Sequence, residues 1–260
     1  MIKSTWAIAL ATFKSAFRSK LSTVIFLFSL ALFVAISLMT ASSLNEDERL
    51  LKDLGLFLGS SIISLSMLAL CAQTLYRDLE RKSLFTLASK PISRSIIVWG
   101  KYIGLAMSAL FLTSLFALIW YILAWRLNIP LELVMVKAWL LVWFEALIIG
   151  ALAMLFGSFS TPLVTSALAF GVMLIGRFAD EIIRLQQRAI TNDETNIILD
   201  LAQEFLVIVP PLKLYNVSEQ VVYRSPIPWT YLSKAGLTSF SYAAICLMIA
   251  SILFARRDLT

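Results

Sequence analysis

Blocks of apolar residues, each able to cross a bilayer, alternate along this chain with short charged connections. The runs are Leu21–Ala41, Leu54–Leu75, Ile97–Ala124, Ala138–Phe156, Pro162–Phe178 and Leu232–Phe254. Each holds roughly twenty residues, the length a helix needs to span the hydrocarbon core. None alternates apolar and polar positions with period two, and in lipid every backbone N–H and C=O must be satisfied within its own helix or in a closed barrel. The pattern therefore predicts an all-α membrane protein with six transmembrane helices, and residues 1–260 read as one membrane domain. A short break, Gly157-Ser158-Phe159-Ser160-Thr161-Pro162, turns the fourth span into the fifth, with Pro162 suited to a first helical turn.

Ahead of the first run, residues 1–20 place Ile2, Trp6, Leu10, Phe13 and Phe17 at helical spacing among Lys3, Lys14, Arg18 and Lys20. A basic amphipathic helix of this kind lies in the membrane interface with its apolar stripe in lipid. The run behind it is too long for a signal-peptide core and lacks an A-x-A cleavage pattern, so it is expected to be a retained span. The longest polar stretch, residues 179–230, predicts two helices broken at Asn192-Asp193-Glu194 and stopped at Pro210-Pro211. It is too short for an independent domain and is expected to pack on the outer mouth of the bundle. Asn216-Val217-Ser218 within it matches a glycosylation sequon, a match that chance explains. Trp99 and Tyr102 at the start of the third span, with Trp120, Tyr121 and Trp125 at its end, are expected as interfacial aromatics.

Composition and charge narrow the function. The chain is 60% hydrophobic and 15% charged, against about 45–50% and about 25% in soluble domains. It has no histidine, which removes the commonest metal ligand and general base. Cys71 and Cys246 lie inside apolar spans and form no CxxC pair, so they are expected as packing residues. Lys and Arg set the orientation. The N-terminal segment is +4. The connection between spans 2 and 3 is also +4, from Arg77, Arg81, Lys82, Lys90, Arg94 and Lys101 against Asp78 and Glu80. Arg256-Arg257-Asp258 adds +1, whereas Glu46, Asp47, Glu48 and Asp53 outweigh Arg49 and Lys52 between spans 1 and 2, at −2. Both termini are therefore expected in the cytoplasm. The formal charge of +6 expresses topology and gives no reason to invoke nucleic acid.

The most informative stretch is that second connection. Its charged start, Arg77-Asp78-Leu79-Glu80-Arg81-Lys82, leads into a short apolar helix containing Leu84, Phe85, Leu87 and Ala88, which stops at Lys90-Pro91. Such a helix held between two spans is a lever that a cytosolic partner can grip; the plainer reading is a solvated connector obeying the positive-inside rule. The sequence from Glu80 through Ser83, Leu84, Phe85, Thr86, Leu87, Ala88, Ser89, Lys90, Pro91, Ile92 and Ser93 to Arg94, followed by Gly100-Lys101, resembles the coupling-helix region of ABC-2-type transporter permeases. The resemblance extends over the whole chain, to the basic N-terminal helix, the six spans and the closing Phe254-Ala255-Arg256-Arg257-Asp258-Leu259. Val209-Pro210-Pro211 through Pro228-Trp229 is similar to the segment before the last span in the subgroup akin to copper-processing and gliding-motility permeases. The chain departs from many relatives in carrying Lys82-Ser83 where they have Gly-Thr.

The resemblance implies a type V exporter-like permease in a bacterial plasma membrane. It implies a homodimer with a second copy of the chain and two copies of a separate ATP-binding cassette subunit that hold the ATP and Mg. Glu80, Arg81, Lys82, Ser83, Leu84, Phe85, Leu87, Lys90, Pro91 and Arg94 would carry the coupling. No nucleotide site stands in this chain: after the lone Gly-Lys pair, Gly100-Lys101, comes Tyr102 instead of Ser or Thr, and Ser95 occupies the place five before Gly100. No metal or cofactor site is expected either.

Glu145 is the one acid near the middle of a span. Burying a carboxylate there costs about 2.5 kcal/mol or more, so it must face protein or water. It is either a polar contact on a substrate path or an interhelical hydrogen bond to a serine or threonine hydroxyl. Gly55-x-x-x-Gly59 and Gly100-x-x-x-Gly104 permit close helix approach, though apolar sequence produces such pairs by chance. Three functions compete: ATP-driven export or extraction of a substrate, mechanical transmission to a periplasmic partner at residues 179–230, and an intramembrane enzyme. The last is disfavoured, because no histidine and no second carboxylate near Glu145 supply an acid–base pair.

Overall fold

A helix that is apolar on every side belongs at the centre of a bundle, and the sequence LVMVKAWLLVWFEALIIGALAMLFG is apolar on every side. In the computed structural model this helix, α4 (Leu133–Gly157), is the hub of the fold. Around it stand α2 (Asp47–Glu80), α3 (Arg94–Arg126), α5 (Pro162–Arg177) and α6 (Trp229–Arg256), all in contact with it. A further helix, α1 (Ile2–Arg18), packs along α3. The structure describes residues 2–18, 47–80, 94–126, 128–130, 132–179 and 209–256, with isolated positions at 27, 30, 31, 34, 181, 183 and 184.

Interhelical contacts fix the directions. Gly59 and Gly150 mark where α2 and α4 meet, against Trp139 and Met67 respectively, so these two helices run parallel. The Tyr102 hydroxyl donates to the Leu147 carbonyl at 2.9 Å and Trp143 Nε1 to that of Ala106 at 3.2 Å, which makes α3 antiparallel to α4. At the end where α4 finishes, Ser160 Oγ and Thr165 Oγ1 lie 2.8 Å apart across the bend into α5. At the opposite end, Asn128 takes a left-handed φ of 54° and closes α3, its N–H bonded to the Trp125 carbonyl.

Helices α2, α3, α4 and α6 each contain a stretch long and apolar enough to cross a membrane, and α5 is a shorter apolar helix. The described residues thus carry four candidate spans where the sequence predicts six runs. The first run, 21–41, lies outside the described residues apart from positions 27, 30, 31 and 34, which are helical. The two helices expected before Pro210 also lie largely outside them.

Beyond Val209 the chain forms a cap over the end of the bundle where α2 and α4 begin. A 3-10 turn (Leu212–Tyr215) and a short helix (Ser218–Val222) bury Leu212, Tyr215, Val217 and Val221. The Tyr215 hydroxyl donates to the Ala235 carbonyl of α6 at 3.0 Å, and Lys137 Nζ of α4 donates to the Ile227 carbonyl at 2.6 Å while lying 4.5 Å from the Trp229 ring. Arg224 pairs with Glu132 at 3.3 Å. Asn216 Oδ1 accepts from both the N–H and the hydroxyl of Ser218, and Val217 and Ser218 are buried, so this tripeptide acts as a turn.

Two expectations need correction. Tyr102 and Trp120 do not face lipid but are buried inside the bundle, where they share the inward stripe of α3 with Leu105, Ala109, Phe116 and Ala124; Trp125, by contrast, is 69% exposed. Lys52 and Lys101, counted above with the connections, are helical and buried.

Candidate functional site

Glu145 sits three turns into the central helix, inside its candidate span, and its side chain is only 5% exposed. A lone carboxylate there would be very costly. It has a partner: Arg177 Nε donates to Glu145 Oε1 at 2.8 Å. Arg177 occupies the last turn of α5, where the helix dipole favours a cation. Its other donors reach α2. Nη1 donates to Ser61 Oγ at 2.6 Å, and Nη2 to Ser60 Oγ at 3.2 Å and Ser64 Oγ at 3.4 Å. One guanidinium thus joins three helices.

The serines are set to accept. The Ser60 and Ser61 hydroxyls both donate to the Phe57 carbonyl, at 3.0 and 2.7 Å, so their lone pairs are left for the guanidinium. The planar fork of arginine suits this division of labour, one edge toward the carboxylate and the other toward the hydroxyls. Above the pair, Gly176 admits the cap: a side chain there would meet Leu212 Cδ1 at 2.9 Å and the Pro210 carbonyl at 3.2 Å. Burial, and secondarily the Glu145 charge, push the Tyr215 phenol up from its ordinary value, so it stays protonated and keeps donating to Ala235.

The sequence singled out Glu145 and left open a contact on a substrate path or a hydrogen bond to a serine or threonine hydroxyl; the hydroxyls are present, but one step removed, around Arg177. Arg177 itself was not singled out. A signal existed. Glu145 and Arg177 stand roughly three to four helical turns from the same bend, on consecutive antiparallel helices, and an acid in a span calls for a cation at its own depth.

The second candidate is the connection between α2 and α3. Glu80 is the last residue of α2 and Arg94 the first of α3. Arg81, Lys82, Ser83, Leu84, Phe85, Leu87, Lys90 and Pro91 lie outside the described residues. The two cysteines are free and buried, with Cys71 Sγ 3.6 Å from the Gly150 carbonyl, as packing residues would be.

Long apolar helices around a mostly buried hub, with a neutralised ion pair inside, define a multi-pass α-helical membrane protein. The model of the ABC-2 family transporter proteins matches residues 49–199, more than half of the chain, and the chain belongs to that family. No curated protein matches it. The chain is therefore a membrane permease component of an ABC transporter, a kind of protein that works with an ATP-binding cassette partner. The matched region takes in α2 to α5, including the whole 81–93 connection and both members of the ion pair.

Proposed function

We propose that this chain couples ATP hydrolysis, carried out by two copies of a separate ATP-binding cassette subunit holding ATP and Mg, to export or extraction of a substrate. It acts as a homodimer in a bacterial inner membrane, with six spans, α1 at the cytoplasmic interface, and both termini in the cytoplasm. Residues 80–94 are the coupling segment. The observation that carries this reading is the family match across a connection whose two flanks are unbroken helices. The candidate span in α2 ends at Thr74, yet the helix runs on to Glu80, a rigid extension of about 9 Å at 1.5 Å per residue. Force applied to the connection is therefore delivered to α2 and α3 directly. Glu145 and Arg177 lie on the substrate path.

The test is co-purification of the ATPase with coupling variants, followed by its turnover in lipid. Phe85→Ala is expected to weaken partner binding by about 2 kcal/mol or more, roughly thirtyfold, because buried aromatics dominate such contacts. Lys82→Ala, at the rim, is expected to cost much less. Pro91→Ala is expected to keep the partner yet uncouple hydrolysis from transport. A solvated connector predicts that all three behave like the parent. Cysteines at Asn45 and Asn192 are expected to react with an impermeant thiol reagent from outside the cell, and one at Ser89 is not; labelling at Ser89 would reverse the orientation.

One observation favours a second reading, in which the permease passes ATP-driven motion to a periplasmic partner. The cap seals the end of the bundle assigned to the outside and presents Tyr223 and Trp229, 70% and 67% exposed. Stimulation of the partner ATPase by an outer-face protein, with no response to candidate lipids, would favour it over export.

A further inference from the structure

Every described contact of the Arg177 guanidinium is with an acceptor oxygen: Glu145 Oε1 on α4, and the hydroxyls of Ser60, Ser61 and Ser64 on α2. Two of those hydroxyl protons are already committed to the Phe57 carbonyl. An anion brought to this place would face oxygen lone pairs; a cation with several N–H donors would be matched. The cradle and its occupant also differ in how they are held. Ser64 and Glu145 are buried on helices packed into the core. Arg177 arrives on a long flexible side chain from α5, where only Thr165, Ala169, Met173 and Gly176 are buried and Leu163 is 81% exposed. The Arg177 side chain remains 16% exposed against 5% for that of Glu145, so the cradle is more open on its α5 side.

A buried ion pair is a poor device for stability alone, since apolar residues of similar volume do as well or better. We propose that Glu145, Ser60, Ser61 and Ser64 form a cation-recognition site, with Arg177 as its built-in occupant. A guanidinium or primary ammonium group on the transported molecule displaces Arg177 and frees the adjoining end of α5 from α2 and α4. The site gives up one cation and gains another, so Glu145 is never left unpaired in the membrane. Substrate entry is thereby tied to helix movement. The proposal rests on the reading of this chain as a substrate-moving permease.

The experiment uses the full-length chain in nanodiscs of phosphatidylglycerol, without ATP or partner, so that it reads the cradle separately from transport. Arg177→Ala is expected to lower the unfolding temperature by several degrees, and methylguanidinium is expected to restore most of the loss saturably. Sodium at equal concentration is not. Adding Glu145→Gln must abolish the rescue. Nanodiscs containing phosphatidylethanolamine separate two sources of the cation. Stabilisation of Arg177→Ala by that lipid alone, lost in the Glu145→Gln double variant, assigns it to a lipid headgroup; rescue by methylguanidinium alone assigns it to a small molecule. Rescue by neither overturns the site. In the wild-type chain, spin labels at Leu65 on α2 and Leu168 on α5, both exposed, are expected to move apart on titration with the effective cation; an unchanged distance overturns the displacement. If the cation binds but never alters the ATPase rate of the assembled complex, the transport reading fails while the cradle stands.

Discussion

Two helices, α1 and α5, lie at the margin of this bundle and are held there by opposite means. The seam between α1 and α3 is made of small residues. A side chain at Gly100 would meet Ile8 Cβ at 2.9 Å and the Thr5 carbonyl at 3.1 Å; one at Gly104 would overlap the Ala9 carbonyl oxygen and meet Thr12 Cβ at 2.8 Å. Backbones this close gain van der Waals contact, and the tightest points lie at Gly100 and Gly104. Helix α5 instead depends at one end on Ser160 and Thr165 and at the other on the Arg177 node. Hydrogen bonds to a guanidinium can be exchanged for others of equal quality. Close packing fixes a helix, whereas a polar node lets it be released, and the coupling proposed above uses both. α1 is thereby bound to α3, one flank of the 81–93 connection, whereas the Arg177 end of α5 is held by bonds that can be exchanged.

The largest expected effect is at the node. Arg177→Ala strands the Glu145 carboxylate and is expected to destabilise the protein by about 3–5 kcal/mol, measured by thermal unfolding in lipid. Glu145→Gln is expected to cost less, because Arg177 keeps its three serine acceptors. The double variant Glu145→Leu/Arg177→Met is expected to approach the parent in stability while losing substrate-stimulated ATPase turnover. If it keeps full turnover, the pair is only a staple, and the contrast between α1 and α5 is gone.

How far the sequence foretold this contrast depends on the kind of signal. The helices α2, α3, α4 and α6 were legible because twenty apolar residues have few alternatives in lipid. The bend at Ser158–Thr161 was legible from Gly157 and Pro162. Inward and outward faces were not, because lipid is as apolar as a protein core and the periodicity that marks a soluble helix is lost. The burial of Tyr102 and Trp120 inside the bundle was therefore not foreseen. The Arg177–Glu145 pair was half legible: the acid drew notice inside a span, whereas Arg177, near a span's end, drew none. In α1 the large residues suggested the stripe that matters, yet the closest approach to α3 is made by Ile8, Ala9 and Thr12, with Ala9 and Ala16 buried, and of the large stripe Phe13 and Phe17 also meet α3, at Phe111. Of the Gly-x-x-x-Gly pairs, Gly100 and Gly104 prove to be the α1 seam, which spacing alone did not reveal.

The seam is broken at Gly104. Gly104→Val sets two methyl groups against the Ala9 backbone, which has no flexible end to move aside, and overpacking of this kind costs about 1–3 kcal/mol. Hydrogen exchange is expected to show residues 2–18 losing protection while α4 keeps its own. Release of α1 and α5 together would mean that the two margins are not independent. Gly100→Ala, against the Ile8 side chain and the Thr5 carbonyl, is expected to act in the same direction and more weakly.

The smallest effects separate the two faces of α1. Phe13 lies 4.9 Å from Phe17, which lies 4.9 Å from Phe111 of α3, and Phe13 itself is 6.5 Å from Phe111, all edge to face. Each such pair contributes about 0.5–1.5 kcal/mol beyond the area it buries, so Phe13→Ala is expected to loosen α1 measurably in detergent. Trp6 is 53% exposed; its removal is expected to change stability in detergent by no more than about 0.5 kcal/mol. In a bilayer the order changes if α1 lies at the interface, because an indole at headgroup depth anchors the helix there. Trp6→Ala is then expected to weaken α1 protection in nanodiscs and leave it unaltered in detergent. Equal behaviour in the two media would mean that α1 is held by its α3 seam alone and has no footing in the membrane surface.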